Sequence, residues 1–289
     1  MEKLRLSAVR RFMLWWFSKP TGAYVSANVA IDFHNARAYL ADLEGIGINA
    51  LVCAAIARVL HEHPFANRRI VGRNIYQAPS VGLAMPVNLV GHEGEKRMEV
   101  SMTAVREVDG MSLRRLQEIT TKQAKTERSG RLADNASERI TRVVEAMPDA
   151  VNRRIWSLLG RGAHSPMLAG LMWKRAPVTA AASNVGSTFR GVPGIWFRGA
   201  SFSPPERLLH LGTIWGISGV VDEVVPVDGV PTVRPILPIV LIFDHRLFDG
   251  VRAGRLMGRL AEILTDPAET FGPTGDALIG ADTRPRSSS

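Results

Sequence analysis

One cysteine, Cys53, stands in the 289 residues, so the chain cannot form an internal disulfide. Nothing in it requires an oxidising compartment, and the expected address is the cytoplasm. No stretch reaches the roughly 18–20 uninterrupted apolar residues of a membrane-spanning helix. The cluster Phe12–Phe17 near the start is shorter even than the roughly 7–15-residue apolar stretch of a signal peptide. The chain has no G-x-S-x-G elbow, which disfavours a Ser–His–Asp hydrolase, no P-loop and no internal repeat. The pair His61 and His63 has no third ligand at a recognisable spacing, so no metal is expected. Acidic charge is the scarcer sign: 27 Asp+Glu face 36 Lys+Arg, a formal net charge of +9.

The rest of the composition is that of a globular protein. Hydrophobic residues at 46% and charged residues at 22% exclude a wholly disordered or collagen-like chain. No clean linker divides it, so a single domain over 1–267 is expected. The Gly-, Pro-, Thr-, Arg- and Ser-rich residues 268–289 are expected to form a flexible tail.

Most of the positive excess sits between Met111 and Arg175, where 13 Lys+Arg stand against 6 Asp+Glu. That segment lacks the interleaved aromatics and the motifs that turn basic charge into base readout, so no nucleic-acid partner is expected. A solvated helical face is the first reading. Attraction to an anionic partner, such as a phosphate-bearing cofactor, a lipid surface or an acidic protein, is the alternative.

Hydrophobic spacing gives a mixed α/β pattern. Leu4–Ser18 has the spacing of an amphipathic helix with a basic side, ended by Pro20 and Gly22. That helix is expected to strap its aromatic face onto the domain or a second subunit. A peripheral membrane contact is the less favoured reading. Ala23–Phe33 alternates as a strand. Ile48–His61 is apolar nearly all round, the pattern of a buried helix, with Cys53 inside it as a small core residue rather than a nucleophile. Two extended stretches follow between Arg69 and Leu89, broken at Gly72–Asn74 and Pro79. Ser112 to about Leu159 reads as one or two helices, and Gly160–Ala176 as a Gly/Pro-punctuated connection. Strands are expected over Val178–Asn184, Leu208–Val221 and Val230–Arg246. The last is apolar on both faces and therefore central. Its Pro235 and Pro238 fall where ladder pairing is expected not to have begun. A helix over Val251–Leu264 follows.

The chemistry points to the end of that central strand, Phe243-Asp244-His245-Arg246-Leu247-Phe248-Asp249-Gly250. A strand end is a rigid place from which to project an imidazole into a cleft. Histidine titrates nearest neutrality, so its neutral ring can take a proton from a thiol, hydroxyl or amine. Asp249 can hold the loop, and Gly250 allows a tight turn.

Here the chain resembles the catalytic domain of the 2-oxo acid dehydrogenase acyltransferases (dihydrolipoyl acyltransferases), relatives of chloramphenicol acetyltransferase. The resemblance rests on Pro238–Phe243 running into the D-H-R-x-x-D-G of 244–250. It is joined by Ala182-Ser183-Asn184-Val185-Gly186-Ser187, by Ser203-Pro204-Pro205-Glu206 with Leu208–Gly212, by Pro64-Phe65-Ala66-Asn67, and by Ser18–Pro20 with Val29–Asp32. It covers about 4–100 and 178–267. The basic segment, about 111–175, aligns with no family motif and reads as an insertion.

The resemblance implies a chloramphenicol acetyltransferase-like α/β fold, a mixed sheet in a two-layer sandwich, and a homotrimer whose site lies between subunits. It implies coenzyme A or acyl-CoA as substrate, His245 as general base, Ser183 as donor to the oxyanion, and Asp249 orienting the loop. Asn184 and Gly186 would shape the backbone beside Ser183. No lipoyl-bearing module is recognisable, so a dihydrolipoyl acceptor is expected from another chain in trans. A hydroxyl or amine acceptor and a non-catalytic trimeric assembly module are the alternatives.

Overall fold

The structure, a computed structural model, describes residues 23–88, 100–128, 147–184, 186, 193–201, 204 and 209–281. The leading helix expected over 4–18, Ser187 and most of the Ser203–Glu206 turn lie outside the described residues.

Nine strands are described: β1 (Tyr24–Asp32), β2 (Arg68–Val71), β3 (Asn74–Gln77), β4 (Leu83–Asn88), β5 (Val100–Val105), β6 (Ala180–Asn184), β7 (Thr213–Ile217), β8 (Val221–Val227) and β9 (Val230–Asp244). Six of them run in the order β1-β9-β7-β6-β4-β5, and β8 pairs with β9 beyond the end of β7. The β4–β6 and β6–β7 pairings are parallel and the others antiparallel, so the sheet is mixed. Strands β2 and β3 form a separate hairpin.

The described helices are α1 (His34–Asp42), α2 (Ile48–Glu62), α3 (Leu113–Arg128), α4 (Asp149–Ala163), α5 (Ala169–Arg175), α6 (Gly250–Thr265) and α7 (Pro267–Phe271). Helix α2 is buried continuously from Ala50 to Leu60, as its lack of a polar side requires. Helix α6 turns Ala253, Leu256, Met257, Leu260, Ile263 and Leu264 inward, and α2 and α6 pack on each other.

Strand β9 joins the two faces of the sheet. Leu237, Ile239, Leu241 and Phe243 enter the main core with α2 and α6. Val240 and Ile242 enter a smaller cluster on the other face with Ala84, Ala181 and Ile214. The central position read from the sequence is therefore observed.

Several expectations need correction. Ladder pairing on β9 has begun well before its prolines, since Pro235 faces Asp222 on β8 and Pro238 faces Ala30 on β1. Pro238 sits where β9 changes partner between Ile217 and Val221, and its carbonyl accepts from the Ser218 N–H. A proline is tolerated at such an interruption of the ladder. The single strand expected over Leu208–Val221 is split by the same change of partner, and β8 with the Asp228–Gly229 turn was not expected. The connection expected over Gly160–Ala176 is largely helical, because α4 runs to Ala163 and α5 follows. The tail expected to be flexible from 268 is packed through Ala281. Phe271 and Ile279 are fully buried, and Arg58 donates to the carbonyls of Ile279 and Ala281. Two large apolar side chains outweigh the disorder-like composition around them.

Candidate active site

His245 follows the last residue of β9. Its backbone N–H donates to the Ala23 carbonyl at 2.8 Å, which carries the β1–β9 ladder one residue further. Its ring is exposed and stacks on Phe243, centroids 6.1 Å apart and planes 28° apart. Phe243 in turn stacks on Phe248 at 4.9 Å. The imidazole is thus presented to solvent from an aromatic floor that belongs to the core.

The turn below the ring is braced by a buried carboxylate. Asp244 is fully buried and accepts from the Arg246 N–H at 2.8 Å and from the Arg246 guanidinium. It also accepts from His210 Nε2 at 2.7 Å, and the two side chains are 0% and 1% exposed. The tautomer of His210 follows from its other side, where Nδ1 accepts the Ile70 N–H at 2.9 Å. Nδ1 therefore carries no proton, and Nε2–H is the donor to Asp244. Burial pushes the Asp244 carboxyl up, but the His210 N–H and the Arg246 donors and charge outweigh it. The net effect holds the carboxyl well below the usual range.

Gly212 lets this arrangement close. A Cβ there would lie 2.5 Å from the Arg68 carbonyl, so only glycine lets the β2 backbone come near enough for Ile70 to reach His210.

Asp249 caps α6, its side chain accepting the Arg252 N–H at 3.0 Å. That hydrogen bond, with smaller help from the Arg252 charge and from His245, lowers its carboxyl from the ordinary value. The arrangement suits a residue that fixes the loop between His245 and the helix.

Ser183 lies elsewhere. It is on β6, opposite Gly216 of β7, which is opposite Val240 of β9. Ser183 is therefore level with a residue five positions before His245. This separates the two by about 16 Å along the strands and about 9.6 Å across them. One chain does not bring them together. Asn184 ends β6, and Gly186 sits against the 218–219 backbone, where a Cβ would come within 2.0 Å of the Gly219 nitrogen.

The remaining candidates are engaged in the fold. His61 Nδ1 lies 2.9 Å from Asp109 Oδ2, and His63 Nδ1 donates to the Val59 carbonyl. Cys53 is fully buried with its Sγ 3.7 Å from Met85 Sδ, and burial pushes its thiol up to about 12. The sequence reading missed His210. The available signal was an ionisable residue flanked by Leu209 and Leu211, at the approach to a core strand.

Comparison with known proteins places this geometry. Residues 209–272, the stretch holding His210, Asp244, His245 and Asp249, match the sequence model of the 2-oxoacid dehydrogenases acyltransferase (catalytic domain) family. The segment bearing the candidate base is therefore similar in sequence to that family's catalytic domain. The human dihydrolipoyllysine-residue succinyltransferase component of the mitochondrial 2-oxoglutarate dehydrogenase complex is 32% identical over 77 residues. That match spans 27% of this chain and 16% of the human protein.

Among solved structures, the cubic core of the pyruvate dehydrogenase multienzyme complex aligns with a TM-score of 0.60 and 19% identity, covering 93% of each chain. The dihydrolipoamide acetyltransferase of Azotobacter vinelandii aligns with a TM-score of 0.59 and 19% identity, also covering 93% of each chain. The chain has the fold of these acyltransferase cores.

Proposed function

We propose that the protein is a coenzyme A-dependent acyltransferase that moves an acyl group between coenzyme A and a dihydrolipoyl-type thiol supplied by another chain. The observation that carries this reading is His245, an exposed imidazole held at the end of the central strand by a buried, fully bonded carboxylate. A base so placed meets an incoming thiol without any rearrangement of the core.

In the proposed reaction a His245 ring nitrogen takes the proton of the attacking thiol. The sulfur adds to the acyl thioester carbonyl, whose oxygen becomes an oxyanion. The Ser183 hydroxyl donates to that oxyanion. The intermediate collapses with loss of the other thiolate, which recovers the proton from the imidazolium. Asp244, His210 and Asp249 touch no reacting atom and act as positioning residues.

With Ser183 and His245 apart in one chain, the reading takes the serine from a neighbouring subunit, so the proposed working unit is a cyclic oligomer, most simply a trimer. This agrees with the multienzyme cores that share the fold. In the Azotobacter enzyme a serine, a histidine and an asparagine four residues after the histidine were probed for catalytic roles. This chain places Asp249 at that third spacing, engaged in capping α6.

The test is acyl-CoA turnover with dihydrolipoamide by wild type, His245→Ala and Ser183→Ala. The reading expects loss in both variants, and equal rates in wild type and His245→Ala would remove it.

A further inference from the structure

Residues 147–177 close against the β2–β3 hairpin and the approach to β4. A Cβ on Gly72 would lie 2.9 Å from the His164 carbonyl, and one on Gly82 would lie 1.9 Å from that of Pro177. Backbone meets backbone at both places, yet between the hairpin and α5 a cavity of about 260 Å³ remains. Arg69, Val71, Tyr76, Pro79, Gly170 and Trp173 are among its lining residues. Its size lies just under the roughly 300–1,000 Å³ of sites for drug-sized ligands.

Arg69 is the anomaly in that wall. It is 3% exposed. Nη1 donates to the Ala176 carbonyl at 3.0 Å, and the guanidinium carbon lies 5.3 Å from the centre of the Trp173 ring. No Asp or Glu pairs with it among the described residues. A guanidinium has five N–H donors and a permanent charge, so one carbonyl and one ring face leave most of it unanswered. The other nitrogens of Arg69 are not sealed in the fold, so they reach the space of the cavity.

A second cavity, of about 750 Å³, holds Arg58, Arg255 and Arg259 between α2 and α6, but Glu62 and Glu262 line it too and pair with Arg58 and Arg259. Its charge is largely answered, whereas that of Arg69 is not.

We propose that the cavity between the β2–β3 hairpin and α5 binds a small monocarboxylate with a short apolar tail. Arg69 takes the carboxylate beside Trp173, and the tail lies along Val71, Pro79 and Gly170. A fork of N–H donors matches the two oxygens of a carboxylate. Arg69 is the one cation in the described lining, which suits a monoanion better than a phosphate dianion. The remaining wall is mainly apolar and suits a hydrocarbon chain. None of these lining residues belongs to the His245 site, so the proposal stands apart from the acyl-transfer reading.

Hexanoate and its uncharged analogue hexanamide are the probes, titrated by calorimetry into the full chain. Hexanoate binds saturably and raises Tm, and hexanamide binds at least tenfold more weakly. Gly170 lines the cavity and nothing lies within 4 Å of a Cβ built there, so Gly170→Leu sets a branched side chain at the cavity wall without a clash and weakens hexanoate binding without lowering Tm of the free protein. Arg69→Met keeps the side chain's length without its charge. That variant loses the preference for hexanoate over hexanamide, a ratio that any general destabilisation leaves readable. The proposal is overturned if hexanoate shows no saturable binding, if both probes bind wild type alike, if Gly170→Leu binds hexanoate as wild type does, or if Arg69→Met keeps the preference.

Discussion

The two side chains expected to act on one substrate sit in opposite surroundings. His245 stands just past the last ladder pair of β9. Below it lie an aromatic floor and a carboxylate bonded on one side to Arg246 and on the other to His210. Ser183 sits inside β6, level with the middle of β9, and its neighbours are strand backbone and the close contact at Gly186. The first position is a complete base platform within one chain. The second is a hydroxyl on a rigid strand, far from His245 in the same chain. On the proposed reading each half of the site is presented to another copy, which separates stability from catalysis. The floor can be damaged without touching the reacting atoms, and the reacting atoms can be removed without touching the floor.

The largest effect expected is on turnover. His245→Ala removes the proposed base while leaving Phe243, Asp244 and Asp249 in place, so on that reading kcat falls roughly 10²–10⁴-fold with little change in Tm. Steady-state kinetics beside a melting curve check both halves of that statement. Ser183→Ala removes the proposed oxyanion donor, and on that reading kcat falls roughly 10²–10³-fold. The two variants also test each other. Co-refolding equal amounts of His245→Ala and Ser183→Ala subunits creates contacts where an intact His245 meets an intact Ser183. Random mixing regenerates about one quarter of the wild-type sites in a cyclic trimer. Recovery near that level supports a shared site, and a mixture no more active than its components would show that both groups must come from one chain.

The next effect is on the floor. His210→Leu leaves the Ile70 N–H without its partner and takes one of three donors from Asp244 Oδ2 in a dry interior, which costs about 1–3 kcal/mol of stability. Asp244→Asn keeps the shape but withdraws the charge facing Arg246, which is itself half-exposed, at a cost of about 1–3 kcal/mol. The pH dependence has a definite sign. The Asp244 carboxyl is held below its ordinary value in the folded state. Its contribution is therefore present above the unfolded carboxylate range, near pH 4, and is lost as the pH falls through the folded value. Urea titrations should show the wild-type advantage over Asp244→Asn undiminished at pH 6–7 and shrinking below about pH 4. A difference that stays constant down to pH 2 would place the stabilisation elsewhere.

What the sequence made legible was the part governed by local pattern. Helix α2, strand β9 and helix α6 follow from apolar spacing, and the H-x-x-x-D-G run marks where the proposed base stands. The His210–Asp244 pair depends on residues 34 positions apart and on β2 approaching Gly212, neither of which has a local period. The packing of Ile279 escaped notice because one isoleucine among Gly, Asp and Thr carries no periodicity. The expected connection over Gly160–Ala176 misread glycines that a helix tolerates. Within α4 and α5 the apolar spacing is real but is not used for burial, since Val151, Ile155, Leu158 and Leu171 stay exposed in the single chain. Pattern alone does not distinguish a stripe that meets the core from one that meets solvent or a second molecule.

Cys53 gives the smallest effect and the cleanest contrast with His245. It too is a residue type able to serve as a nucleophile, but it points into α2's packing rather than away from the fold, and burial pushes its thiol up to about 12. At pH 8 the thiolate fraction is then on the order of 10⁻⁴, against roughly a quarter for a free cysteine. A thiol reagent should leave native activity intact and label Cys53 only as fast as α2 opens, so labelling rates rise with urea in step with global unfolding. Cys53→Ala costs about 1 kcal/mol through a small cavity and leaves kcat unchanged. Rapid labelling in the native state with loss of activity would move the reactive centre from the strand end to the helix interior, where the geometry gives an acceptor no access.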